Sequence, residues 1–421
     1  MIQTETIFPG ITLRCFRDDR FKQGCLSIQL VRPMCREEAA KNALLPAVLL
    51  RGCRSCPDLR RITLRLDDLY GASVGTLVRR VGDWQTTGLY AGFIEDRFAM
   101  EGDAVLAPMV DFLRQLLLEP VLEEGVFSAD FVSSEKKNLI SAIESQLNDK
   151  RAYAMEQLVR GMCREDSFGL SRLGEIEDVE AITPEDLYAH YRSILRTAPM
   201  DIFYVGSAPK EQVAALLKSS FGDLQRACEA LPAQTALRLS AEADTVHQMD
   251  VNQGKLCMGF VTDTTIRDEG FVAMQLLNMV FGGGMTSKLF TNIREKQSLC
   301  YAIGSGYHGS KGLLTVSAGI DSGMDAHVRR AVLEQLEACR RGEITREELE
   351  AARQAMHSSL RATHDSPGSI ENYYATAALS GLGLTPEAYM ARVEETTVAQ
   401  LQQAANSLRL HSVYFLKGVT A

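Results

Sequence analysis

The amino-acid sequence predicts an α+β protein of two homologous lobes, each a mostly antiparallel sheet covered by helices on one face. Three observations lead there. The chain has 421 residues, about three times the commonest domain size, so two cores are expected. Strand-like segments come in adjacent pairs with helical stretches grouped after them, the order of an antiparallel sheet with helices packed on it. The second half then repeats the element order of the first over about 210 residues, which marks duplication of a whole half rather than of a short solenoid unit.

Hydrophobic periodicity justifies each element in turn. Residues 11–16 and 25–31 alternate as strands, and 37–51 follow a helical period. A helix over 61–69 precedes strands at 73–79 and 84–94. Helices follow at 102–118, 128–162 and 184–195, and the half closes on the β-rich run 201–206. The polar, alanine-rich stretch 222–250 reads as a linker, dividing the chain into lobes 1–221 and 251–421. Beyond it, 255–261 is a strand, 268–281 a helix and Gly282 to Gly284 a turn; a helix over 287–296 takes Thr286 as its N-cap. Strands at 299–307 and 313–318 precede helices at 324–341, 346–362 and 369–379. The second half ends as the first does, with a helix at 397–408 and a β-rich run at 412–416.

Composition narrows the function classes. With 46% hydrophobic and 24% charged residues and no long biased tract, the chain is of the globular kind. A net charge of −9 opposes a phosphate-binding surface, so no nucleic-acid partner is expected. The first ten residues lack the basic start and apolar stretch of a secretory signal, and no run reaches membrane-spanning length. A cytoplasmic location without membrane contact is therefore expected. Ten cysteines in such a chain are expected as reduced thiols. The close pair Cys53-Arg-Ser-Cys56 has neither a second C-x-x-C nor a neighbouring His, so neither metal nor redox use is expected of it.

The most specific stretch runs Phe281-Gly-Gly-Gly-Met-Thr-Ser-Lys-Leu-Phe-Thr-Asn-Ile-Arg-Glu-Lys-Gln-Ser-Leu-Cys-Tyr301. It resembles the second-half signature of the insulinase/pitrilysin peptidase family: a glycine turn, a short helix with Ser and Leu-Phe, then Arg-Glu-Lys and a Tyr seven residues beyond the Arg. Element order extends the resemblance over nearly the whole chain, and its length is that of the processing-peptidase branch, whose members have two homologous halves and assemble as pairs. The resemblance implies that Arg294 and Tyr301 reach a zinc site carried by a first-half domain. There a phenol can donate to the oxyanion formed on a peptide carbonyl, and a guanidinium can hold a substrate carbonyl or carboxylate.

Catalytic members of that family carry H-x-x-E-H on the first helix of the first half and a distant Glu as third ligand, leaving one coordination position for water. Aligned on Arg51-Gly52, this chain has Ala43, Pro46 and Ala47 in the His, Glu and His positions, and Ala142 in the distant ligand slot of the stretch 135–143. No shift of alignment rescues the motif, because the first histidine in the chain is His190. His357 and His364 stand seven apart, about two helical turns, too far to chelate one ion. Cys300 reads as a buried strand thiol, and Glu347, Glu348 and Glu350 as a solvated helix start after the N-cap Thr345. Two functions are consistent with these residues. One is a subunit without cofactor that supplies Arg294 and Tyr301 to a zinc-bearing homologous partner for peptide hydrolysis, with a homodimer when alone. The other is a non-catalytic peptide-binding or scaffold protein of the same fold.

Overall fold

A computed structural model describes residues 2–321 and 323–418. The chain forms two compact units that are interleaved in sequence. One comprises Met1–Glu144, Leu170–Gln234 and His364–Thr376; the other comprises Ser145–Gly169, Thr235–Thr363 and Ala377–Ala421.

In chain order the first half contains β1 (Gln3–Phe8), β2 (Ile11–Arg17), β3 (Gln23–Pro33), α1 (Arg36–Leu49), α2 (Leu59–Asp68), β4 (Ser73–Val81), β5 (Trp84–Ile94) and α3 (Leu106–Leu118). It continues with the small hairpin β6 (Leu122–Glu123) and β7 (Val126–Phe127), then α4 (Ala129–Gln146), α5 (Lys150–Met162), α6 (Ile176–Ala181), α7 (Pro184–Thr197), β8 (Met200–Gly206) and α8 (Lys210–Phe221). The second half contains β9 (Asp244–Met249), β10 (Gly254–Val261), α9 (Phe271–Phe281), a π-helical segment (Leu289–Lys296), β11 (Ala302–His308) and β12 (Leu313–Ile320). It ends with α10 (Asp325–Arg340), α11 (Arg346–Ala362), α12 (Pro367–Ser380), α13 (Pro386–Glu395), α14 (Val398–Ser407) and β13 (Arg409–Gly418).

The first sheet runs β1-β2-β8-β3-β5-β4 and the second β11-β12-β10-β13-β9. Read from opposite ends, β2-β8-β3-β5-β4 and β9-β13-β10-β12-β11 are the same arrangement. In both, only the first pair is parallel, β2 with β8 and β9 with β13, and the other pairs are antiparallel. The repeat read from element order is thus a repeat of sheet topology, with β1 added at one edge.

One helix of each half packs in the unit built on the other half's sheet. Ala154, Leu158 and Met162 of α5 form a core with Cys257 and Val261 of β10 and with Tyr414 and Leu416 of β13. Gly259 makes this fit possible, because a Cβ there would lie 2.1 Å from the Met162 sulfur. In the first unit, residues 364–376 cover the face of β3 that carries Ser27 and Gln29, and Glu371 of α12 accepts hydrogen bonds from both side chains at 2.7 Å. Alternating Leu26, Ile28 and Leu30 with these polar residues reads as a half-solvated strand, yet nearly all of β3 is buried.

Several expected elements change in detail. The helix expected over 128–162 is two helices, because Asp149 accepts from the Arg151 and Ala152 amides at 3.0 Å and starts α5 afresh. The expected linker contains β9, and β1, α6, α8 and α13 are additional elements. Thr345 caps α11, as expected, and Glu348 completes a capping box with it.

Candidate functional site

Two separate stretches, one in each unit, carry the candidate residues. In the first unit, α1 is buried along most of its length, Ala39, Ala40, Leu44, Leu45, Val48 and Leu49 among its core residues. Pro46 lies inside it. A proline lacks the amide that would bond the carbonyl four residues back, here that of Asn42. Thr87 of β5 replaces the missing donor, its hydroxyl lying 2.6 Å from the Asn42 oxygen. The Asn42 side chain is equally occupied: its amide donates to Gln85 Oε1 at 2.9 Å, and its oxygen meets His190 Nε2 at 2.8 Å. Burial holds the His190 imidazole at a pKa of about 4, with Lys41 and Arg32 acting in the same direction and Glu38 opposing.

Ala43 and Ala47 line a cavity of about 320 Å³ with Thr76 and Val78 of β4 and Glu135, Asn138 and Leu139 of α4. Glu135 is engaged by Arg51 Nη1 at 3.1 Å and by the Asn138 amide at 2.9 Å. Ala142, two turns further along α4, is exposed. The positions expected for zinc ligands therefore carry methyl groups and a pyrrolidine ring. Among the described residues no three His, Cys, Asp or Glu side chains come together as a metal site. Zinc does not fit these residues. His357 does not pair with His364 along one helix either, because α11 ends at Ala362.

In the second unit, α9 ends at Phe281 and Gly282 caps it. A Cβ on Gly282 would meet Ser305 Oγ at 2.6 Å and a Leu289 methyl at 2.7 Å, so close approach explains this glycine. The expected α-helix over 287–296 is instead π-helical from Leu289 to Lys296, and Ser287 rather than Thr286 faces its first turn, accepting from the Phe290 amide at 3.4 Å. Leu289 and Ile293 are fully buried while Arg294 stays at the surface. Lys288 ties the segment to Glu348 of α11 at 2.8 Å, and Asn292 donates to Gln335 of α10 at 2.7 Å. Ser298, with φ of 51°, turns the chain toward β11 through a left-handed conformation uncommon outside glycine.

The structure brings Arg294 and Tyr301 together. Arg294 Nε donates to the Tyr301 carbonyl at 3.0 Å, Nη1 meets Glu295 at 2.6 Å, and the guanidinium lies 4.6 Å over the Phe290 ring. Tyr301 is 54% exposed. Its phenol donates to both carboxylate oxygens of Asp321 at 3.0 and 3.2 Å, which raises its pKa. Sequence reasoning missed Asp321, whose only signal is its place at the end of β12. Cys300 is a poor nucleophile, since burial pushes its thiol up to about 11 against the opposing effect of Arg294.

Comparison with known proteins agrees with this geometry. Residues 181–356 match the family model described as the peptidase M16 inactive domain. The chain is 29% identical over 97% of its length to the probable inactive metalloprotease YmfF of Bacillus subtilis, 96% of which is covered. The same organism's uncharacterized zinc protease YmxG is 32% identical over 28% of this chain and 30% of its own. A crystal structure of a conserved protein from Enterococcus faecalis superposes with a TM-score of 0.92 at 27% identity, covering 100% of this chain and 99% of that one. The chain is thus similar over nearly its whole length to M16-type peptidases described as inactive, and it carries alanine and proline where the insulinase/pitrilysin resemblance expects zinc ligands.

Proposed function

We propose that this chain is the metal-free subunit of a zinc peptidase pair and presents Arg294 and Tyr301 to the active site of a zinc-bearing homologous subunit. One observation supports the reading: no histidine precedes His190, yet Tyr301 stands exposed and Arg294 half-exposed on a segment pinned by Lys288 and Asn292. Tyr301 would leave Asp321 and donate to the oxyanion of a peptide bond attacked in the partner, while Arg294 holds a neighbouring carbonyl or carboxylate. That Bacillus subtilis has both a full-length relative described as inactive and a relative described as a zinc protease supports a pair of this kind. We place the pair in the cytoplasm, regard 1–221 and 251–421 as the duplicated halves joined through 222–250, and expect the chain alone to form a homodimer.

A second reading is a peptide-binding scaffold. The edge strand β4 ends its sheet beside the cavity at Ala43 and Ala47. An extended peptide could pair with that edge without being cut. The test is to purify the chain, measure zinc by elemental analysis, and assay peptide cleavage with and without a zinc-bearing relative from the same genome. Complementation predicts no zinc in the chain and activity only in the mixture. It also predicts a loss of about a hundredfold in mixture activity for Tyr301→Phe and for Arg294→Ala, with co-purification retained. Full mixture activity with both variants would leave the scaffold reading.

A further inference from the structure

The C-x-x-C pair at the end of α1, expected from sequence to be inert, has a geometry that the peptidase reading does not use. The amide of Cys53 donates to the carbonyl of Cys56 at 2.9 Å, and the amide of Cys56 donates back to the carbonyl of Cys53 at 3.0 Å. Two residues that exchange both backbone hydrogen bonds have Cα atoms about 5.5 Å apart. That lies in the middle of the range found for disulfides, about 4.4–6.8 Å. The two sulfurs also turn toward one hydroxyl: Ser55 Oγ lies 3.4 Å from Cys53 Sγ and 3.8 Å from Cys56 Sγ.

The frame of this turn is held from outside. Cys53 forms a β-bridge with Pro120, the Arg54 amide donates to the Glu119 carbonyl at 2.8 Å, and the Val121 amide donates to the Gly52 carbonyl at 3.3 Å. The thiols can therefore meet by side-chain rotation while the backbone stays in place. Cys15 and Cys25 offer a contrast in the same unit, since β8 lies between their strands and separates them by two strand spacings, about 10 Å.

We propose that Cys53 and Cys56 are a redox-active pair, oxidised to an intrachain disulfide by a small-molecule disulfide of the glutathione type. Cys56 is 8% exposed and Cys53 fully buried, so Cys56 is the attacking thiol and Cys53 the resolving one. The Cys56 thiolate attacks one sulfur of the oxidant and expels a thiolate. The Cys53 thiolate then attacks Cys56 Sγ in the mixed disulfide and expels the second. The protein loses two electrons and two protons, and the oxidant becomes two thiols. The disulfide closes the turn that follows Arg51, two residues before Cys53, and so stiffens the support of the guanidinium that holds Glu135 at the cavity wall.

The experiment equilibrates the full-length folded protein against a series of reduced-to-oxidised glutathione ratios, followed by acid quenching, alkylation, digestion and mass spectrometry. A parallel series is run in denaturant. The peptide carrying Cys53 and Cys56 is expected to lose the mass of two hydrogens in one transition, at an oxidant level at least tenfold lower in the folded than in the denatured protein. Cys53→Ser is expected to trap a glutathione adduct on Cys56 that does not accumulate in the natural protein. Alkylation of both cysteines at every ratio in the folded protein would overturn the proposal, as would equal folded and denatured midpoints or pairing of Cys56 with a different cysteine. The first two readings need no variant and so do not depend on how Cys53→Ser folds.

Discussion

Glu371 is the residue whose removal tests most directly how the first unit is held together. Its carboxylate is fully buried and accepts four hydrogen bonds: from Ser27 Oγ and Gln29 Nε2 at 2.7 Å each, and from Arg79 Nη1 at 3.0 Å and Nη2 at 2.7 Å. Glu371→Ala leaves a guanidinium and two neutral donors without their acceptor. Breaking a buried ion pair by removing one partner costs about 3–5 kcal/mol. The Arg79 side chain is 26% exposed and can recover some hydration, which places the expected loss near the lower end, about 3 kcal/mol. Glu371→Gln keeps the volume but turns an amide toward donors and should cost about 2 kcal/mol.

The assay is equilibrium unfolding in urea followed by fluorescence of Trp84, the chain's single tryptophan, which is buried in β5 of the same unit. With a slope of about 3 kcal/mol per molar, the alanine variant should unfold about 1 M earlier. Replacing both partners, Arg79→Met with Glu371→Leu, should recover only part of the loss, since an apolar pair leaves no buried charge behind but Ser27 and Gln29 still lack their acceptor. A loss under about 1 kcal/mol for Glu371→Ala at unchanged slope would refute the reasoning, because the four contacts would then hold nothing that water does not replace.

Three further outcomes follow from the first unit. The combined replacement Ala43→His, Pro46→Glu, Ala47→His and Ala142→Glu should confer one zinc per chain by elemental analysis; a variant with native Trp84 emission and no zinc would show that these four positions do not converge. Thr87→Val should lower stability by about 1–3 kcal/mol in the same urea assay and Thr87→Ser by much less, because only the hydroxyl replaces the donor that Pro46 lacks at Asn42. His190 sets a pH dependence: the unfolded ring takes up a proton below about 6.5 and the folded ring only near 4, so stability is intact above pH 6.5 and falls as pH drops from 6.5 toward 4. The loss is at most about 3 kcal/mol, reduced by the ring's partial exposure, and His190→Gln should flatten that part of the stability profile.

Much of this protein was legible in its sequence because the signals are local. The periodicity of residues 25–31 and 84–94 marks strands, Thr345 and Glu348 mark a helix start, and the spacing of Arg294 and Tyr301 marks their segment. No histidine precedes His190, so composition alone excludes a histidine pair on α1. Each of these is written within a few residues, where backbone preference and side-chain chemistry decide the outcome.

What the sequence did not determine depends on residues far apart in the chain. Ser27 and Gln29 look like the wet face of a strand until Glu371, more than three hundred residues on, is folded over them. Pro46 leaves the Asn42 carbonyl without its helical donor until Thr87 supplies one, and β9 reads as linker until β13 offers it a parallel edge. Cys53 and Cys56 are near in sequence, but Glu119 and Pro120 fix the turn that sets their spacing. A buried polar group must find a partner and an edge strand must find a neighbour, and only tertiary structure says which distant residue provides it.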